Sequence, residues 1–193
     1  MKSAENKDTS AISVCVFCAS SDHIAGVYKN TARELGSEIA GRGMTLVYGG
    51  GNNGLMGELS ENVHSHGGRV IGVITGKFKE LGYAFKDADE MICVESIRER
   101  QAIMEDSADG FIGMAGGFGT LEEILEIITF KQLGLNDKPV VFLNTDAFFS
   151  GLLEQLEKCY SENFIPSECR DLYYVTESVS DALDYIERHL AKK

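Results

Sequence analysis

Only two prolines occur in the 193 residues, and no stretch of biased composition separates one part of the chain from another. Both absences argue against a linker between domains. Nor is there an apolar run near the roughly 20 residues that a membrane-spanning helix requires. The opening MKSAENKDTS lacks the apolar core of a secretory leader. These residues are expected to form a flexible tail, 1–10, ahead of a single domain, 11–193, in a cytoplasmic protein. Positive charge is also scarce: 18 Lys and Arg stand against 30 Asp and Glu, a formal net charge of −12. A field of that sign repels nucleic-acid backbones and anionic membranes, so neither is an expected partner. A small anion can still be held by local donors.

The five cysteines are an odd number. Three of them, Cys15, Cys18 and Cys93, lie in apolar runs, and the set reads as buried thiols and not as a disulfide framework. Cys15-x-x-Cys18 matches half of a redox or zinc motif, but no second pair follows and the segment 12–18 is strand-like. No metal and no cofactor is expected.

What the chain does contain is an alternation of short apolar runs with helical periodicity. Strands are expected at 12–18, 44–48, 69–74, 91–94, 110–114, 139–143 and 172–175. Helices are expected at 25–41, 54–66, 96–107, 120–133, 147–162 and 180–192, while 77–89 shows no clear period. Continuously apolar strands alternating with helices define an α/β fold: three layers, α/β/α, around a mostly parallel sheet. The ligand site of such a sheet lies at the carboxyl ends of its strands.

Two glycine-rich turns emerge at those ends: GGGNNGLMG at Gly49 to Gly57 and AGGFGTLEE at Ala115 to Glu123. A strand that runs through glycines straight into a helix presents backbone N–H groups and a positive dipole end, which suits a phosphate. In the first turn Gly49, Gly51 and Gly54 satisfy G-x-G-x-x-G. The match follows the second strand, however, and the next strand ends at Thr75-Gly76 without an acid for a ribose hydroxyl, so support for a nicotinamide cofactor is weak. Leu55 and Met56 stand where a P-loop needs Lys and Ser or Thr, which excludes that motif. A simpler reading remains, in which the glycines only turn the chain and Asn52 or Asn53 caps the helix. In the second turn, Thr120 and Glu123 have the spacing of a capping box, and acidic residues suit a helix start in any case. The charged run Arg98, Glu99, Arg100, Gln101 fits a solvated helix face. Cations in a first helical turn nevertheless oppose the dipole, which points to an anionic partner.

Several segments together resemble the LONELY GUY family of cytokinin-activating phosphoribohydrolases, often labelled possible lysine decarboxylases: VCVFCASS at Val14 to Ser21, LVYGGGNNGLMG at Leu46 to Gly57, VIGVI at Val70 to Ile74, GGFGTLEEILE at Gly116 to Glu126 and KQLGLNDKPVVFLN at Lys131 to Asn144. The resemblance implies a Rossmann-like fold and a homodimer with sites near the subunit interface. It also implies hydrolysis of a nucleoside 5'-monophosphate, such as isopentenyladenine riboside monophosphate or AMP, to free base and ribose 5-phosphate. The family's PGGxGTxxE motif falls on Ala115 to Glu123, and its arginine–lysine pair on Arg100 and Gln101. By this match the catalytic residues are Arg100 and Glu123. The substrate-binding residues are Gln101, Gly117, Phe118, Gly119, Thr120, Glu122, Thr129 and Glu80, with Ser20, Ser21, Gly50 and Gly51 lining the crevice. Three positions depart from the family pattern: Ala115 replaces the motif proline, Gln101 the lysine, and Arg98 a frequent histidine.

The implied chemistry is coherent. Breaking an N-glycosidic bond builds positive charge on the ribose, and a nearby carboxylate can stabilise that charge and activate water. A non-catalytic nucleotide-binding or carrier module stands as the alternative. A nicotinamide-dependent oxidoreductase is a lesser one. Lysine decarboxylation needs a Schiff-base lysine that neither turn supplies.

Overall fold

Along β1 (Ser13–Phe17), Val14 and Val16 join one apolar cluster while Cys15 and Phe17 join another, and all four are buried. Successive strand residues point to opposite faces, so a strand apolar on both needs cover on both. The computed structural model, which describes residues 11–192, supplies that cover. The expected tail at 1–10 lies outside the described residues.

The elements alternate: α1 (Gly26–Gly41), β2 (Thr45–Tyr48), α2 (Gly54–Ser65), β3 (Arg69–Thr75), α3 (Gly76–Glu80), β4 (Glu90–Val94), α4 (Ile97–Asp106), β5 (Gly110–Gly113), α5 (Phe118–Gln132), β6 (Val140–Leu143), α6 (Ser150–Ser161), β7 (Tyr174–Thr176) and α7 (Val179–Leu190). The seven strands form one sheet in the order β4-β3-β2-β1-β5-β6-β7, and every pairing is parallel. Helices α1, α2 and α7 pack on one face through Leu35, Leu59 and Leu183. Helices α4, α5 and α6 cover the other through Met104, Ile124, Ile127 and Leu153. The strand order reverses at β1, where Val14 lies beside Leu46 of β2 and Gly110 of β5. A crevice opens at such a switch point because the chains leaving the two neighbouring strands diverge to opposite faces.

Local departures from the periodic reading have physical causes. The helix expected from 147 begins at Ser150, because Asp146 and Ala147 adopt positive φ of 52° and 55°. The Asn144 side chain accepts from the Phe149 N–H and ties that corner. The aperiodic stretch 77–89 contains α3 and then laces back onto the first glycine turn. Asn52 N–H donates to the Tyr83 carbonyl, Phe85 N–H donates to the Gly50 carbonyl, and Gly51 bridges Ala84. One expectation is corrected: Cys93 is exposed, not buried. It sits on β4, the edge strand, where one side of the sheet has less cover.

Gly54 shows what the first turn demands of its backbone. It opens α2 at φ +59°, and a Cβ there would lie 2.6 to 2.7 Å from backbone atoms of Ala19, Ser20 and Ser21. Gly54→Ala is therefore expected to cost about 2 kcal/mol or more, read as a lower urea midpoint with an unchanged slope.

Candidate active site

The two glycine turns are not equivalent. At the start of α2 the protein uses its own acceptors: Asp22 Oδ1 takes the Gly54 N–H at 2.7 Å, the Ala19 carbonyl takes Leu55 N–H and the Asn53 carbonyl takes Gly57 N–H. Asn53 occupies the cap position but makes no side-chain cap bond, so Asp22, from the loop after β1, satisfies the donor and the dipole there. The start of α5 differs. Gly117 is its cap residue and makes no side-chain cap bond, which leaves the helix's positive end without an acidic group from its own first turn.

The alternative reading of Thr120 and Glu123 as a capping box is not realised. The helix begins two residues earlier, so Thr120 lies inside its first turn, buried against Gly116. The motif occurs in α4 instead: Ser96 Oγ accepts from Glu99 N–H, and Glu99 reaches back to the Glu95 N–H. The S-x-x-E spacing at 96–99 carries that signal in the sequence.

Released from capping, Glu123 turns towards α4. Its Oε1 accepts from Arg100 Nη1 at 2.8 Å, with the two side chains 13% and 14% exposed. Arg100 Nε also donates to the Val73 carbonyl of β3 at 2.9 Å, which fixes the plane of the guanidinium. Burial raises the Glu123 carboxyl above its ordinary range, while the Arg100 charge and hydrogen bond pull it back down. One residue further along α4 and one residue back on α5, Gln101 Nε2 donates to Glu122 Oε2. Helices α4 and α5 are thus joined by two consecutive pairs, one part-buried and one exposed.

The Arg100–Glu123 pair lines a cleft of about 590 Å³ at the carboxyl end of the sheet. Ser20, Gly51, Gly117, Phe118, Gly119 and Thr120 line it too, as the sequence reading expected. Ser21, Gly50, Glu80, Gln101, Glu122 and Thr129 are not among the lining residues of the single chain. Ser21 Oγ accepts from the His23 N–H, Gly50 packs under Ile74, and Glu80 ends the exposed α3. Thr129 bonds the Leu125 carbonyl on an exposed part of α5. Sequence reasoning missed the apolar side of the cleft, formed by Met56, Phe78, Tyr83, Ile97 and Met104. Phe78 and Tyr83 come from the aperiodic stretch, which no period could place here. Cys18 also lines the cleft, where desolvation pushes its thiol up from the ordinary value.

Gly117 and Gly119 complete the geometry. Neither has positive φ, and a Cβ at either would meet no protein atom within 4 Å. The fold itself does not require glycine there. The space they leave open is at the helix start, beside the buried carboxylate.

A switch-point crevice, a helix start without a side-chain cap and a largely buried carboxylate–guanidinium pair define the class: a Rossmann-like α/β protein whose cleft has the chemistry to suit a small anionic ligand. Comparison with known proteins narrows it. The family model described as possible lysine decarboxylase matches residues 56–186. A cytokinin riboside 5'-monophosphate phosphoribohydrolase of Arabidopsis thaliana is 40% identical over 180 residues, covering 91% of this chain and 84% of that protein. A probable enzyme of the same name from Oryza sativa subsp. japonica is 39% identical over 176 residues, covering 91% of this chain and 72% of that protein. Among solved structures, the Moco carrier protein of Chlamydomonas reinhardtii superposes with a TM-score of 0.71 at 26% identity over 95% of this chain and 99% of the other. The molybdenum cofactor binding protein of Rippkaea orientalis, at 23% identity and a TM-score of 0.72 over 94% and 99% of the two chains, shares the fold. The chain belongs to the LONELY GUY family, and it is a hydrolase of the N-glycosidase type.

Proposed function

We propose that the chain cleaves the N-glycosidic bond of a purine nucleoside 5'-monophosphate, such as isopentenyladenine riboside monophosphate or AMP, to give free base and ribose 5-phosphate. The observation that carries this reading is the pairing of an uncapped, glycine-walled helix start with the buried Glu123 in one cleft. The N–H groups of Gly117 to Thr120 receive the 5'-phosphate, which sets the ribose over the Glu123 carboxylate. As the bond to the base lengthens, positive charge grows on the ribose, and the carboxylate stabilises it and orients or deprotonates the attacking water. Arg100 holds the carboxylate in place. The apolar wall of Met56, Phe78, Tyr83 and Ile97 suits a base with an apolar substituent.

The active form we propose is a homodimer in the cytoplasm. Exposed Ile97, Phe118, Leu133 and Leu135 on and beside α4 and α5 support the association, and five unpaired thiols fit a reducing compartment. In a dimer the exposed Glu80, Glu122 and Thr129 and the half-buried Gln101 are the residues available to complete the site across the interface.

The test is direct. Incubation with AMP and with isopentenyladenine riboside monophosphate should release free base and ribose 5-phosphate. Binding without release would favour a carrier module, the reading that the 26% likeness to a carrier protein keeps in view. A variant separates site from scaffold: Gly119→Ala should leave Tm nearly unchanged, because its Cβ meets no described atom within 4 Å, yet raise KM about tenfold by crowding the phosphate position.

A further inference from the structure

Three consecutive glycines at 49–51 exceed what a strand-to-helix turn needs, and the structure gives each a different reason. Gly50 has φ +73° and lies 3.0 Å, as a virtual Cβ, from Ile74. Gly51 makes room for Met56, whose Cε would be 2.6 Å from a Cβ there. Gly49 is neither left-handed nor pressed against backbone. The one atom closer than 3.0 Å to its virtual Cβ is Arg100 Nη2, at 2.0 Å, with Cζ at 3.3 Å.

We infer that Gly49 is a positioning residue for the proposed hydrolysis: its bare Cα at the end of β2 is the seat on which the Arg100 guanidinium lies while it holds Glu123. This inference rests on the assignment of Glu123 as the acting carboxylate. The guanidinium is confined on three sides. Val73 fixes Nε from β3, Glu123 takes Nη1 from α5, and Nη2 lies over Gly49. Any Cβ at 49 overlaps Nη2, and because the overlapped group ends a flexible side chain, the arginine yields before the sheet does. Arg100 cannot shift without stretching the bond to Val73 or the bond to Glu123. A sub-ångström seat of this kind matters because catalytic rates fall steeply with misplacement of the acting group. The first glycine turn thus serves the second: it orients the arginine that orients the carboxylate.

Gly49→Ala is the test, made in the wild-type background and in Arg100→Lys, whose side chain has no Nη2. In the wild-type background kcat should fall about tenfold or more with a much smaller change in KM. The acid limb of the kcat–pH profile should move to higher pH, because Glu123 loses part of the charge that holds its carboxyl down. In Arg100→Lys the same change should cost several-fold less, a coupling that a general distortion of the turn would not produce. The Glu123 carboxyl is also titrated by carbon NMR, which reads the seat whether or not the protein turns over nucleotide. Its midpoint should rise in Gly49→Ala and stay put in Gly51→Ala, which crowds Met56 instead. An unchanged Glu123 titration in Gly49→Ala overturns the inference. So does an equal loss, or a failure to fold, in both arginine and lysine backgrounds. Absence of nucleotide cleavage by the wild-type protein would remove the catalytic reading and leave the titration to decide the seat.

Discussion

Glu123→Gln is expected to lower kcat a hundredfold or more, by about the contribution of a positioned acid–base or charge-stabilising group, while leaving the protein folded. Glutamine keeps the shape of the side chain and an oxygen that can accept from Arg100 Nη1. What it removes is the negative charge facing the ribose. Release of ribose 5-phosphate under saturating substrate gives the rate, and the Tm measured alongside should stay within a few degrees, because one hydrogen bond to an arginine persists. Full activity in a folded Glu123→Gln protein would sink the assignment. The wild-type profile should itself show the group. Burial raises the carboxyl, so the acid limb of kcat should lie above the ordinary carboxylate range, with activity lost as pH falls through it.

Arg100→Ala should damage both activity and stability. It strands Glu123 in a site where the carboxylate is 13% exposed and frees the Val73 carbonyl. Removing one partner of a buried ion pair costs about 3 kcal/mol or more. The pH dependence has a definite sign. A carboxyl whose folded-state pKa is raised binds its proton more tightly folded than unfolded, so its contribution falls as pH rises from the unfolded value through the folded one. Loss of Arg100 raises the folded value further, since the arginine is the group that lowers it. The deficit of Arg100→Ala relative to wild type should therefore be greatest at neutral pH and above, and shrink towards pH 5. Urea unfolding at both pH values measures it. A deficit independent of pH would mean that the ion pair is not what the substitution breaks.

Much of this arrangement is legible in residues alone. Runs such as Val14–Phe17, apolar at every position, can only belong to a strand covered on both faces, and the alternation with helices then requires a parallel sheet whose site is at its carboxyl end. The motif at Gly116 to Glu123 pointed to a phosphate and a carboxylate. The T-x-x-E spacing at 120–123 left capping and catalysis both open, and only the true start of α5 at Phe118 shows that Glu123 is free to face Arg100. The stretch 77–89 stayed opaque for another reason. Its conformation is held by hydrogen bonds to Gly50 and Asn52, some 30 residues away in sequence, and leaves no period to read.

The layers and the positions of the two turns are written in local pattern, in side-chain period and backbone freedom, whereas Glu123 as the candidate acid came from the resemblance of residues 115–123 to a family motif. Only the tertiary structure decided what each turn does. Asp22 and Ala19 occupy the donors of the first turn, Arg100 lies on Gly49, and no described residue fills the space beside Gly117 and Gly119. Those outcomes are distances between residues far apart in the chain, set by how β1, β2, β3 and β5 lie side by side, and no local pattern encodes them.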